Sequence, residues 1–199
     1  MKSRSTIRLA VMLAALVTCV GGLTAQQVFR HTITGEALDL AEAPEEGRDT
    51  EAVKEFLATG VNLYIEEKRC LPKGEEAYLV ACSGCHGHLG EGKVGPGLND
   101  SYWTYPKNTS DKGLFETIFG GAQGMMGPHG SHLTLDEQLL LIAWIRHLYT
   151  GDVEEAEWLT DEQKKAFKPY KEHASGEGKD EGDASKVAAA EVECKVSAR

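Results

Sequence analysis

The pentapeptide Cys82-Ser-Gly-Cys85-His86 holds the side chains whose types and spacing best suit chemistry. Two thiols separated by two residues can form thioethers with the two vinyl groups of one porphyrin, and the adjacent imidazole can bind iron. A redox dithiol would need a strand before the motif, and a zinc site would need a second ligand pair. A helix is predicted before this motif, and no second Cys-x-x-Cys follows. The motif therefore predicts one covalent haem with His86 as proximal ligand.

A glycine-rich loop at residues 120–129 offers two thioethers for the sixth position of the iron. Met126, directly before a Gly-Pro pair, is the predicted ligand, and Met125 is the alternative. The rival imidazoles belong to His88, His129 and His132. A methionine ligand raises the reduction potential and leaves no open position, which favours an electron carrier. An open sixth position would instead indicate a haem enzyme or a ligand sensor.

The segment Gly95-Pro-Gly-Leu98 is expected to support the haem. A turn there could aim the carbonyl of Pro96 at Nδ1 of His86 and so fix the orientation of the imidazole. Leu98 would then pack on the porphyrin ring. Three aromatic residues are expected to form the wall of the pocket: Tyr102, Trp103 and Tyr105.

Five helices are predicted to position these groups. They cover residues 50–58, 72 to the haem motif, 110–119, 134–148 and 160–169. The clearest signal is the capping box at Thr134 and Glu137, followed by an apolar run and by Arg146 in the last turn, where a cation complements the helix dipole. Trp144 of this helix is expected to meet Gly74 and Tyr78, since glycine permits close approach of the two backbones.

The chain organisation predicts one mainly α domain with tails. Residues 1–25 combine basic residues, a short apolar stretch and a small-residue exit, which is typical of a removed signal peptide. Residues 26–72 are predicted as an extended arm with a short helix, 73–170 as the haem-carrying domain with a C-terminal extension helix, and 171–199 as a disordered tail. No further segment is predicted to enter a membrane after signal cleavage.

Charge and cysteine content indicate the kind of partner and the redox compartment of the protein. The formal charge of −10 becomes −13 once residues 1–25, with three basic and no acidic side chains, are removed. Such a surface disfavours nucleic acid and favours a basic protein partner or simple solubility. An oxidising compartment would permit Cys70 and Cys194 to pair, but the position of Cys194 in the predicted tail disfavours that disulfide.

Several longer segments resemble the cytochrome cL family of class I c-type cytochromes. They are Phe29-Arg-His-Thr-Ile-Thr-Gly35, Arg48-Asp-Thr, Cys82-Ser-Gly-Cys-His-Gly-His88, Tyr102-Trp-Thr-Tyr-Pro-Lys-Asn108, Asp111 to Gly124 and Ala156-Glu-Trp-Leu-Thr160. The resemblance implies a class I cytochrome c fold wrapped around one haem c. It also implies that His86 and Met126 are the axial ligands, although a polar residue would be expected at position 125.

The same resemblance implies a non-enzymatic carrier in the periplasm. Such a carrier accepts electrons from a pyrroloquinoline-quinone methanol dehydrogenase and passes them to a downstream cytochrome c or terminal oxidase. A calcium ion beside a haem propionate is a further expectation, with no ligands assigned. The alternative function is a haem subunit of, or a carrier for, another periplasmic oxidoreductase.

Overall fold

The computed structural model describes residues 27–171 together with Cys194 and Val196. The predicted signal peptide at 1–25 and most of the predicted tail lie outside these residues. Across the described chain the α-helices are α1 Glu51–Thr59, α2 Leu71–Ala81, α3 Ser83–His86, α4 Asp111–Gly120, α5 Leu135–His147 and α6 Asp161–Ala166. Short 3₁₀ helices cover Leu40–Glu42, Leu63–Glu66, Lys68–Cys70 and Pro106–Thr109. The predicted mainly α class is confirmed.

Local capping explains where the helices begin. The predicted box at α5 is present, because Thr134 Oγ1 accepts from the backbone N–H of Glu137 at 3.0 Å and the Glu137 carboxylate accepts from that of Thr134 at 2.8 Å. Thr160 and Gln163 form an equivalent box at the start of α6. Among the described helices, none has the length and apolar character needed to cross a membrane.

The crossing of α2 and α5 is the central contact of the fold. At Gly74 of α2, a β-carbon would lie 2.3 Å from the backbone oxygen of Leu140 and 3.2 Å from the β-carbon of Trp144. Only glycine therefore permits this approach of the two helices. The predicted contact between Gly74 and the helix that carries Trp144 is confirmed.

The segment before α2 packs into the same core as the later helices. Phe29 contacts Phe56 of α1 and Phe115 of α4, with ring centroids 5.6 and 5.3 Å apart respectively. The backbone N–H of Arg30 donates to the buried carboxylate of Glu116 at 2.7 Å. Arg30 and Ala37 form an isolated antiparallel β-bridge. The predicted arm thus turns back on itself and contributes apolar side chains to α1 and α4.

The disulfide between Cys70 and Cys194, which the sequence left open and the position of Cys194 disfavoured, is present. The two cysteines form a disulfide that joins positions 124 residues apart, with Cα atoms 5.1 Å apart. Cys194 and Val196 are partly buried against the core. The sequence pattern could not show this pairing, because the composition of the tail does not indicate which distant residue Cys194 contacts.

Candidate haem site

A cavity of about 720 Å³ brings the predicted site residues together. Ligand pockets in proteins usually enclose about 300–1,000 Å³. The lining includes eight of the predicted ligands and supporting residues: Cys82, Cys85, His86, Pro96, Leu98, Trp103, Met125 and Met126. Three sequence-separated segments, around the haem motif, the Pro-bearing loop and the Met loop, therefore meet at one apolar site.

The haem motif lies at the junction of two helices. Helix α2 ends at Ala81 and Cys82 caps α3, whose single turn carries Cys85 and His86. The backbone N–H of His86 donates to the carbonyl of Cys82 at 2.9 Å, which closes that turn. Cys82 is partly buried and Cys85 is exposed at the cavity wall. This turn places two sulfurs and one imidazole along the same cavity, as thioether attachment of a porphyrin requires.

The imidazole of His86 is held from both sides by the Pro-bearing loop. Nδ1 lies 2.8 Å from the carbonyl oxygen of Pro96, the contact that the sequence predicts. This acceptor favours the tautomer with a proton on Nδ1, leaving Nε2 free for iron. Gly95 packs on the ring, and a β-carbon there would lie 2.6 Å from Cε1. The sequence analysis did not assign this role to Gly95. The signal it left unused is a glycine directly before Pro96, a pair typical of a tight turn.

One hydrogen bond closes the Met loop on itself, and another ties its end to α4. The backbone N–H of Ala122 donates to the carbonyl of Met126 at 2.9 Å, and that of His129 donates to the carbonyl of Ile118 at 3.1 Å. Met126 is partly buried and packs against the core, whereas Met125 is 78% exposed. Of the two thioethers, that of Met126 is therefore better placed to reach into the cavity.

Two of the rival histidines also line the cavity. His129 and His132 are among its lining residues, and His88 is exposed and outside it. Burial, together with the neighbouring His132 and His86, lowers the pKa of His129. The cavity lining thus contains three imidazoles, those of His86, His129 and His132.

Aromatic side chains form part of the wall, as expected for two of the three predicted. Trp103 is 9% exposed and lines the cavity, and Tyr105 lines it while its hydroxyl accepts from the backbone N–H of Gln123 at 3.1 Å. The expectation for Tyr102 is wrong, because its side chain is 69% exposed and lies outside the lining. Trp103 faces the cavity, whereas the adjacent Tyr102 faces solvent.

Charge is distributed unevenly around the cavity. Of the described residues that line it, none is Asp, Glu, Lys or Arg. Directly behind the wall lies a buried ion pair, in which Nε of Arg146 is 3.0 Å from Oδ1 of Asp111. The sequence analysis assigned Arg146 only to the helix dipole. The apolar residues before it and after His147 were a sign of burial that the sequence analysis did not use. The apolar lining and the paired sulfurs fit a haem.

The expected calcium ion finds no support in the described chain. Within it, no group of three or more His, Cys, Asp or Glu side chains could hold a metal ion.

Three comparisons place these features among known proteins. The family described as cytochrome C oxidase, cbb3-type, subunit III matches residues 71–145. Cytochrome c-L of Methylorubrum extorquens is 63% identical over 162 residues, which cover 81% of this chain and 82% of the relative. The crystal structure of cytochrome cL from Hyphomicrobium denitrificans has 72% identity and a TM-score of 0.70, over 74% of this chain and 88% of the other. That from Methylophaga aminisulfidivorans, a marine methylotrophic bacterium, has 54% identity and a TM-score of 0.71, over 74% and 98%.

Proposed function

Since the chain belongs to the cytochrome c-L family of electron-transfer proteins, we propose that it accepts single electrons from a pyrroloquinoline-quinone methanol dehydrogenase in the periplasm. The cavity lined by one haem motif and one Met loop supports this proposal most directly. A downstream cytochrome c or terminal oxidase would receive the electron.

The proposal assigns four side chains to the cofactor. Cys82 and Cys85 would hold the haem as thioethers, and His86 and Met126 would bind its iron. When bound, the haem supplies a one-electron couple between ferric and ferrous iron. The Pro96 carbonyl fixes the imidazole, and the Trp103 wall and apolar lining keep water from the porphyrin.

The charge pattern supports a partner that approaches in two stages. Acidic side chains outnumber basic ones, 31 to 21, so the chain attracts a basic partner over long range. The described cavity lining carries no Asp, Glu, Lys or Arg. A partner that docks against this lining would therefore not need to desolvate an Asp, Glu, Lys or Arg side chain there. Attraction and close contact would thus use different parts of the surface.

Stopped-flow reduction by methanol dehydrogenase tests the proposed donor. The ferric holoprotein is mixed with the dehydrogenase and methanol, and the ferrous absorbance is followed at increasing salt. We expect methanol-dependent reduction that slows as salt rises, because screening sets in over about 10 Å at 0.1 M. The reaction should persist at high salt, since the described cavity lining holds no Asp, Glu, Lys or Arg side chain whose interactions salt could screen.

The matched control omits methanol, and a second control reduces the protein with ascorbate to show that the haem is competent. Reduction by ascorbate without any reduction by the dehydrogenase and methanol would refute the proposed donor. A rate that does not change with salt would remove only the electrostatic part of the proposal.

Export to the periplasm is a separate part of the proposal. It is supported by the basic and apolar character of residues 1–25 and by the disulfide between Cys70 and Cys194, which requires an oxidising compartment. Cell fractionation followed by mass spectrometry should find a periplasmic chain that begins near Gln26. A full-length chain in the cytoplasm would contradict this.

A haem subunit of a larger oxidoreductase is the second candidate, favoured by the oxidase-subunit family that matches residues 71–145. That match covers the haem-binding core alone, whereas the relative in Methylorubrum extorquens matches over 162 residues. Size-exclusion chromatography of native extract separates the candidates, since a carrier elutes near 20 kDa and a subunit elutes with its complex.

A further inference from the structure

Arg146 is a buried cation at the end of α5, directly behind the cavity wall. Its side chain is 1% exposed, and the partner carboxylate of Asp111 is 5% exposed. Nη2 donates to the carbonyl of Asn108 at 2.8 Å, whereas the buried Nη1 has no hydrogen-bond partner among the described residues. Burying an ion costs several kcal/mol unless partners compensate. This guanidinium is incompletely compensated, so its charge should be felt by its surroundings.

Two tryptophans enclose the guanidinium. Its central carbon lies 5.1 Å from the ring centroid of Trp103 and 3.9 Å from that of Trp158. Trp103 belongs to the cavity wall, and Trp158 belongs to the segment between α5 and α6. Cation–π contact of this kind is strongest where water is excluded. Arg146 therefore joins the wall of the haem cavity to the C-terminal segment.

Within the ion pair, Arg146 contacts residues of the cavity wall. Arg146 contacts two lining residues directly, Trp103 by stacking and Asn108 by a hydrogen bond. Asp111, at the first position of α4, is not part of the described lining. The described lining carries no Asp, Glu, Lys or Arg, so no such charged side chain at the cavity surface offsets the positive charge of Arg146.

We propose that Arg146 is a positioning residue that raises the reduction potential of the haem and holds Trp103 against it. The inference rests on the proposed haem attachment. Reduction lowers the charge of the iron by one, so a neighbouring cation in a poorly screened interior disfavours the ferric state more than the ferrous state. The carboxylate of Asp111 opposes this effect, and Trp158 preserves it by excluding water.

Redox titration of two charge variants tests the inference. The potential of purified holoprotein is measured for Arg146→Gln, which removes the cation, and for Asp111→Asn, which removes its counter-ion. We expect a lower potential in the first variant and a higher potential in the second. A purely structural role would move both potentials in the same direction, because each substitution breaks the same ion pair. This titration uses no dehydrogenase, so its result is independent of the proposed electron donor.

Two further variants keep the test decisive if a charge variant fails to fold. Trp158→Leu retains both charges but admits water to the guanidinium, and it should lower the potential by less than Arg146→Gln does. Phe56→Leu is the matched control, since Phe56 is 1% exposed in the core and lies outside the cavity lining. It should reduce the resistance to urea while leaving the potential in place.

Three results from the test variants would each overturn the inference. The first is an unchanged potential in folded Arg146→Gln, and the second is a shift of the same sign in the two charge variants. The third is an unchanged potential in Trp158→Leu. A shift in Phe56→Leu as large as that in Trp158→Leu would also overturn it, because loss of packing alone would then explain the effect.

Discussion

Substituting Gly74 by alanine tests the close crossing of α2 and α5, because two opposing effects of known size meet at this position. Alanine in place of glycine in a helix interior normally adds about 1 kcal/mol to the free energy of unfolding. Here the new β-carbon would lie 2.3 Å from the oxygen of Leu140, where real contacts begin at 3.0 Å. The helices must therefore separate locally by at least 0.7 Å.

The cost of that separation should exceed the gain in helix propensity. Overpacking a well-packed core costs about 1–3 kcal/mol, and the upper end applies because the obstructing atom belongs to the backbone and cannot rotate away. We expect Gly74→Ala to lower the free energy of unfolding by about 2 kcal/mol after the propensity gain is included. Urea unfolding of the holoprotein, followed by far-ultraviolet circular dichroism, measures this difference.

Gly84→Ala is the matched control for this prediction. Gly84 also lies in a helix, but a β-carbon there would meet no atom within 4 Å. Its free energy of unfolding should stay the same or rise by up to about 1 kcal/mol, because the gain in helix propensity meets no steric cost there. If Gly74→Ala proves as stable as Gly84→Ala, the reasoning from close backbone contact is refuted.

Three further predictions concern the haem, its ligand and the disulfide. The haem should remain with the polypeptide in acidified butanone, because two thioethers hold it; quantitative extraction of haem would contradict this. Met126→Ala should abolish the near-infrared charge-transfer band of methionine-bound ferric haem and lower the potential, whereas Met125→Ala should retain the band; the reverse outcome would exchange the two assignments. Cys194→Ser should lower the free energy of unfolding by about 2–4 kcal/mol, because it opens a covalent loop of 124 residues. Dithiothreitol should then reproduce this loss in the unsubstituted protein but cause no further loss in the variant.

The helices could be predicted from the sequence because their signals are local. The capping box at Thr134 and Glu137 is present in the structure, and the predicted helix at 110–119 corresponds to Asp111–Gly120 with Ser110 as its cap. A cap and an apolar repeat concern residues that are neighbours along the chain, so no tertiary contact is needed to interpret them. The same locality explains the haem motif, whose thiols and imidazole share one helical turn.

The disulfide and Tyr102 could not be predicted in this way. Pairing of Cys70 with Cys194 depends on where a distant tail returns to the domain, which the composition of that tail does not record. Tyr102 and Trp103 have the same chemical character, and only the direction of the backbone decides that Trp103 faces the cavity. In both cases a tertiary arrangement selects between options that are equivalent in the sequence.

Arg146 shows how one pattern can indicate two different environments. A cation in the last turn of a helix usually complements the dipole from the surface, and that interpretation requires nothing beyond the helix. Here the guanidinium is buried, because Asp111 lies 35 positions earlier in the sequence and approaches Nε, and Trp158 covers it from the following segment. Each partner comes from another part of the chain. The cation beside the cavity is thus created by the fold, and the residues that keep it there can affect the haem without contacting it.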